Sequence, residues 1–310
     1  MAGLKELRTR IEAIKSTQKI TSAMKMVAAS RLRRVQILVD KNLGYSENLR
    51  KSALRVITEI ENEEKTKGVQ YIRPLLLQQK ANPQIYKLCV ISSDRGLCGA
   101  YNSNIAKCAA QRIRELLKAN KQINVACIGK KAYDILRRYF SDTQGVTLSR
   151  VDAKYGNMSY ADMAHKLSDT VLKQFVAEEF DICEFVYADF KTAISRTFEC
   201  EQVCPLELNT EHLDEEKLQL INRSGNAFYE YLPDKLTVLT DILPILFNDN
   251  LFKIVVNAAA SEHSARMTSM DSATRNAKKM ISELTLKYNS LRQSAITTEL
   301  IEIIAGAEAI

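Results

Sequence analysis

The chain has 310 residues, 46% of them apolar and 26% charged, and a formal net charge of +7, which is the composition of a soluble globular protein long enough for two ordinary domains. No run of 18 apolar residues exists, because the richest stretch, 242–260, is broken by Pro244, Asn248, Asp249, Asn250 and Lys253, so the sequence argues against a membrane-spanning helix. Nine cations and two anions fall within residues 1–34, a net of +7, so the remainder sums to zero. A segment charged in this way could meet nucleic acid, acidic lipid or an acidic protein surface.

The opening residues Met1 to Glu6 enter a charged amphipathic pattern at once, without the apolar core of a signal sequence. Either the numbering starts at a mature or trimmed protein, or no targeting peptide is needed. Residues 4–43 contain neither Gly nor Pro. Leu4, Leu7, Ile11 and Ile14 follow a 3-4-3 spacing that Ala28, Leu32, Val35 and Val39 resume. Gln18, Thr21 and Lys25 interrupt the frame, while Ile20, Met24 and Val27 set up a second stripe beside it. Two stripes predict a coiled-coil helix that is itself enclosed. The pattern continues after Gly44 through Leu49, Leu54, Val56, Ile57 and Ile60. The first coiled-coil helix is therefore placed at 1–61 and a linker at 62–86, where the sequence is charged, non-periodic and marked by Pro74 and Pro83.

From Lys87 strands alternate with helices. Strands are expected at 88–91, 123–128, 146–148 and 181–190, with helices at 105–116, 130–140 and 163–175 between them. This is the pattern of a small, mainly parallel α/β sheet, a Rossmann-like domain over 87–209. The stretch 197–203 alternates Phe198 and Cys200 inward with Glu199 and Glu201 outward, as an edge strand would. A connection at 210–234 carries the acidic run 211–216. The last segment, 235–310, is a second coiled-coil helix. Between 245 and 305 it has no Gly or Pro, and a helix of that length would span roughly 90 Å, too long for a domain to bury along its whole length. Met270, Ala273, Ala277, Met280 and Leu284 hold one frame there, and Leu284, Tyr288, Leu291 and Ala295 a neighbouring one. The economical arrangement pairs the terminal helices antiparallel around the inserted α/β domain. The final residues, Ile303 to Ile310, carry no cation against the helix dipole, which suits an apolar socket.

Sites for chemistry are sparse. Ser92 to Ala100 lies where an α/β sheet places a phosphate loop, yet it is neither GxGxxG nor GxxxxGK[ST], and Gly129-Lys130-Lys131 lacks the upstream glycine of a P-loop. Tight structural turns explain both. His165, His212 and His263 are far apart, without metal-site spacing. Glu299 and Glu302 read as a solvated or partner-facing stripe rather than paired catalytic acids. Seven cysteines at scattered spacings, with Cys89, Cys127 and Cys183 in apolar runs, read as reduced core residues of an intracellular compartment. Cys200 and Cys204 form a weak candidate for a redox pair or half a metal site. A nucleic-acid arm on the first helix would lack aromatics, which are absent before Tyr45.

Three sets of residues carry a resemblance. Near the start stand Ile11 and Gln18-Lys19-Ile20-Thr21-x-Ala23-Met24-Lys25-Met26-Val27-Ala28-Ala29, and in the middle Ser93-Asp94-Arg95-Gly96-Leu97-Cys98-Gly99. Late in the chain stand Glu262-His263-x-Ala265-Arg266-Met267-x-x-Met270, Arg292-Gln293 and Ile296-Thr297-x-Glu299-x-x-Glu302-x-x-x-Gly306-Ala307-x-Ala309. Together they resemble the γ subunits of F-type ATP synthases, the central rotor shafts. The resemblance implies a subunit without a catalytic site or cofactor, whose terminal helices coil inside an α3β3 hexamer and whose α/β domain sits on the proton-driven c-ring. It also implies δ- and ε-type stalk subunits as partners, no nucleic acid, and attachment to the membrane only through the ring. By position it implies β-subunit contacts at Met24, Arg266, Gln293 and Thr297, an apolar bearing tip at Ile303, Ile304, Ala307 and Ile310, and a foot on the ring at Phe228, Tyr229 and Tyr231. The acidic insertion and regulatory cysteine pair of the chloroplast branch have no counterpart here. Thr298 to Ile304 looks more like mitochondrial members than bacterial ones, which places the chain on the matrix side of the mitochondrial inner membrane, with the cytoplasmic face of a bacterial membrane as the alternative. The rival readings are a nucleotide-binding α/β protein and a nucleic-acid-binding coiled coil.

Overall fold

A computed structural model describes residues 2–68, 71–151, 158–208 and 229–308. Two helices dominate it: α1 (Ala2–Lys67), of 66 residues, and α5 (Lys235–Glu308), of 74. Contacts divide the chain into two compact units. One comprises Met1–Arg31, Leu97–Gly99 and His263–Ile310, and the other Leu32–Gly96 and Ala100–Glu262, so each long helix contributes to both.

The larger unit holds a five-stranded sheet of β1 (Ile85–Ile91), β2 (Gln122–Ile128), β3 (Val146–Val151), β4 (Ile182–Phe190) and β5 (Arg196–Cys204). Their spatial order is β3-β2-β1-β4-β5; the first four run parallel and β5 pairs antiparallel with β4. Helices α2 (Tyr101–Lys118), α3 (Lys130–Phe140) and α4 (Tyr160–Val176) connect the strands. Strand side chains alternate between faces. Cys89, Ile91, Phe185 and Tyr187 point to one core, shared with Leu167, Val171 and Phe175 of α4, Val56 and Ile60 of α1, and Leu243 and Phe247 of α5. On the opposite face Leu88, Val90 and Val186 are fully buried, as are Ile105, Ala109 and Ile113 of α2 and Leu136 of α3.

The terminal helices run antiparallel inside this unit. Asn42 Nδ2 and Ser46 Oγ donate to the buried Asp249 carboxylate at 2.8 and 2.5 Å, and Lys235 Nζ bonds Glu59 and Glu63, each at 3.1 Å. The α1 helix runs on to Lys67, past the expected boundary at 61, because its charged end has partners: Arg73 pairs with Glu61 and Glu64, and Lys67 with Glu63. Gly68 closes it at φ +67, its N–H donating to the Glu64 carbonyl at 3.0 Å, a left-handed termination that glycine adopts at no steric cost. Asp234 caps α5, accepting from the Thr237 N–H at 3.0 Å. One 18-residue window of α5 reaches mean hydropathy 1.3, apolar enough for a membrane by length and composition, whereas the residue-by-residue reading found no span. Since 56% of that window is buried, it has the character of a core helix.

The edge strand holds a local correction. The β4–β5 register shifts between Cys183 and Glu184, whose partners are Cys204 and Gln202. The extra residue turns Cys204 into the core with Cys183 and Phe185, while Cys200 faces the other way, its Sγ 3.2 Å from Glu184 Oε2. Cys200 and Cys204 therefore point to opposite faces, and all seven cysteines are free thiols. Glu201 is exposed as expected, and its carboxylate also accepts a 2.7 Å bond from the Tyr187 hydroxyl.

In the smaller unit the first half of α1 lies antiparallel to the second half of α5. Ile11, Ala28, Ala265, Met270 and Ala277 are buried between them. Gln18, Thr21 and Lys25, the residues that break the apolar frame, sit half-buried in the same seam. Thr274 Oγ1 donates to Thr21 Oγ1 at 2.8 Å, and Lys25 Nζ donates to Asp271 Oδ1 at 2.6 Å. On α5 the seam passes through Ile281 rather than Met280, which is 52% exposed.

Candidate functional site

The loop after β1 is the first place to look for ligand chemistry, and protein groups fill it. At the start of α3, Ser92 Oγ accepts from the Ala132 N–H and Asp94 Oδ1 from the Lys130 N–H, both at 3.0 Å. These donors are the ones an α-helix would offer a phosphate, and a carboxylate already holds one of them. Gly129 has φ +98, and a Cβ there would lie 2.1 Å from the Ser92 carbonyl oxygen, so the strand-to-helix turn is closed against its neighbour. Asn102 adds a bond from the Ser93 N–H at 3.1 Å.

Acid–base candidates are scattered. Glu299 and Glu302 are exposed on one helix. His263 is buried, and desolvation followed by the nearby Arg266 and Arg31 charges lowers its pKa to about 4, so it is neutral near pH 7. Among the described residues no group of three His, Cys, Asp or Glu side chains could hold a metal ion; His212 lies outside those residues.

The residues with expected contact roles fall into two groups. In the smaller unit Met24 and Arg266 are half-buried, and Gln293 and Thr297 are exposed. The Thr297 hydroxyl is used within its own helix, donating to the Gln293 carbonyl at 2.9 Å. From Ile296 to Ala305 every side chain is exposed, including Leu300, Ile303 (72%) and Ile304 (51%), and Ala307 is exposed as well. Ile310 lies outside the described residues. On α1 the second apolar stripe is open at Ile20 (60%) and Val27 (54%) and half-buried at Met24, and the neighbouring Met26 is 64% exposed. Isolated surface leucines are ordinary, but a contiguous apolar face marks a place for a partner.

The larger unit holds the expected foot. Tyr229 is 46% exposed, with the Arg55 guanidinium 4.4 Å from its ring centroid. Tyr231 donates to Glu59 at 2.9 Å, and burial together with that bond pushes its pKa up to about 12. Glu63 is pulled down to about 2 by bonds from Lys235, Tyr71 and Lys67. Phe228 lies outside the described residues.

Sequence reasoning missed two features. One is the Asn42–Ser46–Asp249 cluster, whose signal was a lone acid inside the most apolar stretch of α5. The other is a second cationic region. Residues 101–150 hold ten cations and three anions, also a net of +7, which the zero sum outside residues 1–34 concealed.

These observations define a helix-pair protein that presents long exposed faces to partners. A family model described as ATP synthase matches residues 3–310. Curated relatives include the ATP synthase gamma chains of Sinorhizobium fredii and Pelagibacter ubique, each 38% identical over 310 residues, and of Rhizorhabdus wittichii, 39% identical over 311, with all of each chain covered. The chain belongs to the ATP synthase gamma chain family. Similar solved structures are a Euglena gracilis mitochondrial ATP synthase assembly of OSCP, F1 and c-ring, with TM-score 0.61, 18% identity and coverage of 99% of this chain and 94% of that one, and the Tetrahymena thermophila mitochondrial central stalk and c-ring, with TM-score 0.54, 21% identity and coverage of 82% and 99%. At those identities they show the shared fold.

Proposed function

We propose that this chain is the central stalk of a proton-translocating F1Fo ATP synthase. As a non-catalytic subunit it couples rotation of the membrane ring to the conformational cycle of the catalytic β subunits. One observation carries the reading: in the smaller unit two antiparallel helices are pinned to each other while their outer faces leave Ile20, Met26, Val27, Leu300, Ile303 and Ile304 exposed. That pattern suits a shaft enclosed by partners, because an apolar face exposes to water what another surface would cover. The structurally similar assemblies share that setting, comprising a central stalk, a rotor and a c-ring. The filled N-terminus of α3 supports the non-catalytic part of the reading.

The partners are then an α3β3 hexamer around the helix pair, a c-ring under the α/β region, and δ- and ε-type stalk subunits. Domain roles follow the division into 1–61 and 235–310 for the coiled coil, 87–209 for the α/β domain, and 62–86 and 210–234 for connections. Arg266, Gln293, Thr297 and Met24 contact β; Ile303, Ile304, Ala307 and Ile310 form the bearing tip; Phe228, Tyr229 and Tyr231 rest on the ring. An asymmetric shaft acts by favouring one β conformation at a time, a population shift driven mechanically.

The complex is peripheral to its membrane at this subunit. The matrix side of the mitochondrial inner membrane is supported by the sequence of 298–304, and the bacterial cytoplasmic face by relatives at 37–39% identity in bacteria. Fractionation of the source cells with an antibody to the chain separates the two. The functional test is reconstitution with α and β subunits carrying Arg266→Ala and Gln293→Ala. Impaired coupling of hydrolysis to rotation is expected, and normal assembly, hydrolysis and coupling would overturn the contact assignments.

A further inference from the structure

Within the larger unit the second cationic region lies on α2, α3 and the end of the edge strand β3. Arg112 is committed to Glu184, at 2.5 and 2.8 Å, and to Glu115 at 3.4 Å, and Lys121 bonds Asn82 at 2.9 Å. The other eight cations of the region are Lys107, Arg114, Lys118, Lys130, Lys131, Arg137, Arg138 and Arg150. None of them makes an ion pair among the described residues. Seven of the eight are exposed, as is Tyr139 at 64%, and Lys131 is half-buried. Arg114 of α2 lies 5.9 Å over the Phe140 ring of α3, and Phe140 is 6.5 Å from Tyr139, edge to face. Arg114 is thereby held beside the last turn of α3, which carries Arg137 and Arg138.

Two ordinary roles account for part of this charge. A cation in a last turn favours the helix dipole, which covers Arg137, Arg138 and Lys118. Solubility needs some net charge. Neither role requires seven cations without an ion pair on neighbouring helices, nor an aromatic ring left open among them.

We propose that the outer face of α2 and α3, centred on Arg114, Arg137, Arg138 and Tyr139, binds a carboxylate-rich segment of a protein partner. Charge complementarity sets the sign of the partner, and residue type sets its class. Arg and Tyr concentrate at the energetic centres of protein interfaces, where Lys is depleted. Here the three arginines and the tyrosine sit together; Lys118 lies one turn along α2 from Arg114, and Lys107, Lys130 and Lys131 lie elsewhere on the two helices. A guanidinium grips a carboxylate through two parallel bonds, which a lysine cannot do. An anionic bilayer, by contrast, attracts Lys and Arg about equally through its surface potential.

That difference decides the test. Full-length chain is titrated with fluorescent poly-glutamate, and separately with vesicles containing anionic phospholipid. The expected result is that Arg114→Gln/Arg137→Gln/Arg138→Gln weakens peptide binding about tenfold or more, the size of one lost charge-assisted contact or greater. The charge-preserving Arg114→Lys/Arg137→Lys/Arg138→Lys variant should lose most of the same affinity, while Lys5→Gln/Arg8→Gln/Arg10→Gln on α1 leaves the peptide's dependence on the three arginines intact. Circular dichroism of each variant confirms an unchanged fold, the side chains being at the surface. Peptide binding that survives the lysine variant would overturn the proposal, since diffuse charge would then suffice. Arginine-dependent binding of the vesicles in preference to the peptide would overturn it in favour of a membrane. Neither failure touches the stalk assignment, which rests on the helix pair.

Discussion

Lys25 and Asp271 meet at 2.6 Å across the antiparallel seam of the smaller unit, and Arg275 joins the same carboxylate at 2.9 Å from one turn along α5. The hydrogen bond from Lys25 holds the Asp271 carboxyl below its ordinary range. Its contribution to stability is therefore present above the unfolded-state value of about 3.9 and lost as pH falls through the lower folded value. Unfolding curves of wild type and Asp271→Asn should differ at neutral pH and converge in strong acid. A constant difference across that range would contradict the pairing.

His263 shifts stability in the same direction, by a different cause. Burial and two neighbouring arginines lower its pKa to about 4, so the folded state resists a proton that the unfolded state accepts near pH 6.5. Stability should fall by up to about 3 kcal/mol between pH 6.5 and 4 from this group alone. Urea unfolding of His263→Gln across that window should lack this part of the slope. A histidine that titrates near 6.5 by NMR in the folded chain would refute it.

Asp249 tests the buried polar cluster of the larger unit. Asp249→Ala leaves Asn42 and Ser46 without their acceptor in a buried seam, and should cost about 2–4 kcal/mol. Replacing Asn42, Ser46 and Asp249 together with apolar residues of matching size should cost much less, because no buried donor is then left unpaired. Chemical denaturation of the two variants checks the ordering, and equal losses would show that packing alone decides.

Two glycines should respond in opposite directions. Gly129→Ala forces a Cβ to 2.1 Å from the Ser92 carbonyl at φ +98, so failure to fold or a loss above about 2 kcal/mol is expected. Gly44→Ala lies inside α1 with nothing within 4 Å of the new methyl, and should stabilise by about 0.5–1 kcal/mol. Thermal unfolding of the pair reads both signs.

How far the sequence could be read follows from these residues. The α/β alternation was legible because each strand is a short apolar run with a helix frame beside it, and β1 to β4 lie close to their expected ranges. The end of α1 was not, because 61–67 shows only charge; its helicity depends on Arg73 and Lys235, which are distant in sequence. Gln18, Thr21 and Lys25 looked like interruptions of a seam, since a frame counted in apolar residues cannot reveal that Thr274 and Asp271 supply partners. The β5 bulge was equally hidden, as period-two alternation assumes that no residue is inserted. Expected contact residues such as Gln293 and Ile303 came from family resemblance, and the structure places them on an open helical face.

The polar layer at Thr21, Lys25, Asp271 and Thr274 also penalises misalignment. Sliding α5 by one heptad of about seven residues keeps apolar side chains opposite apolar ones, so hydrophobic burial alone would tolerate the error. Such a slip in one direction sets Lys25 against Lys278, and in the other against the uncharged Ser264. Either way the ammonium loses its counterion, and in the first case it meets a like charge. Mispaired strands of the coil are thus proofread by charge.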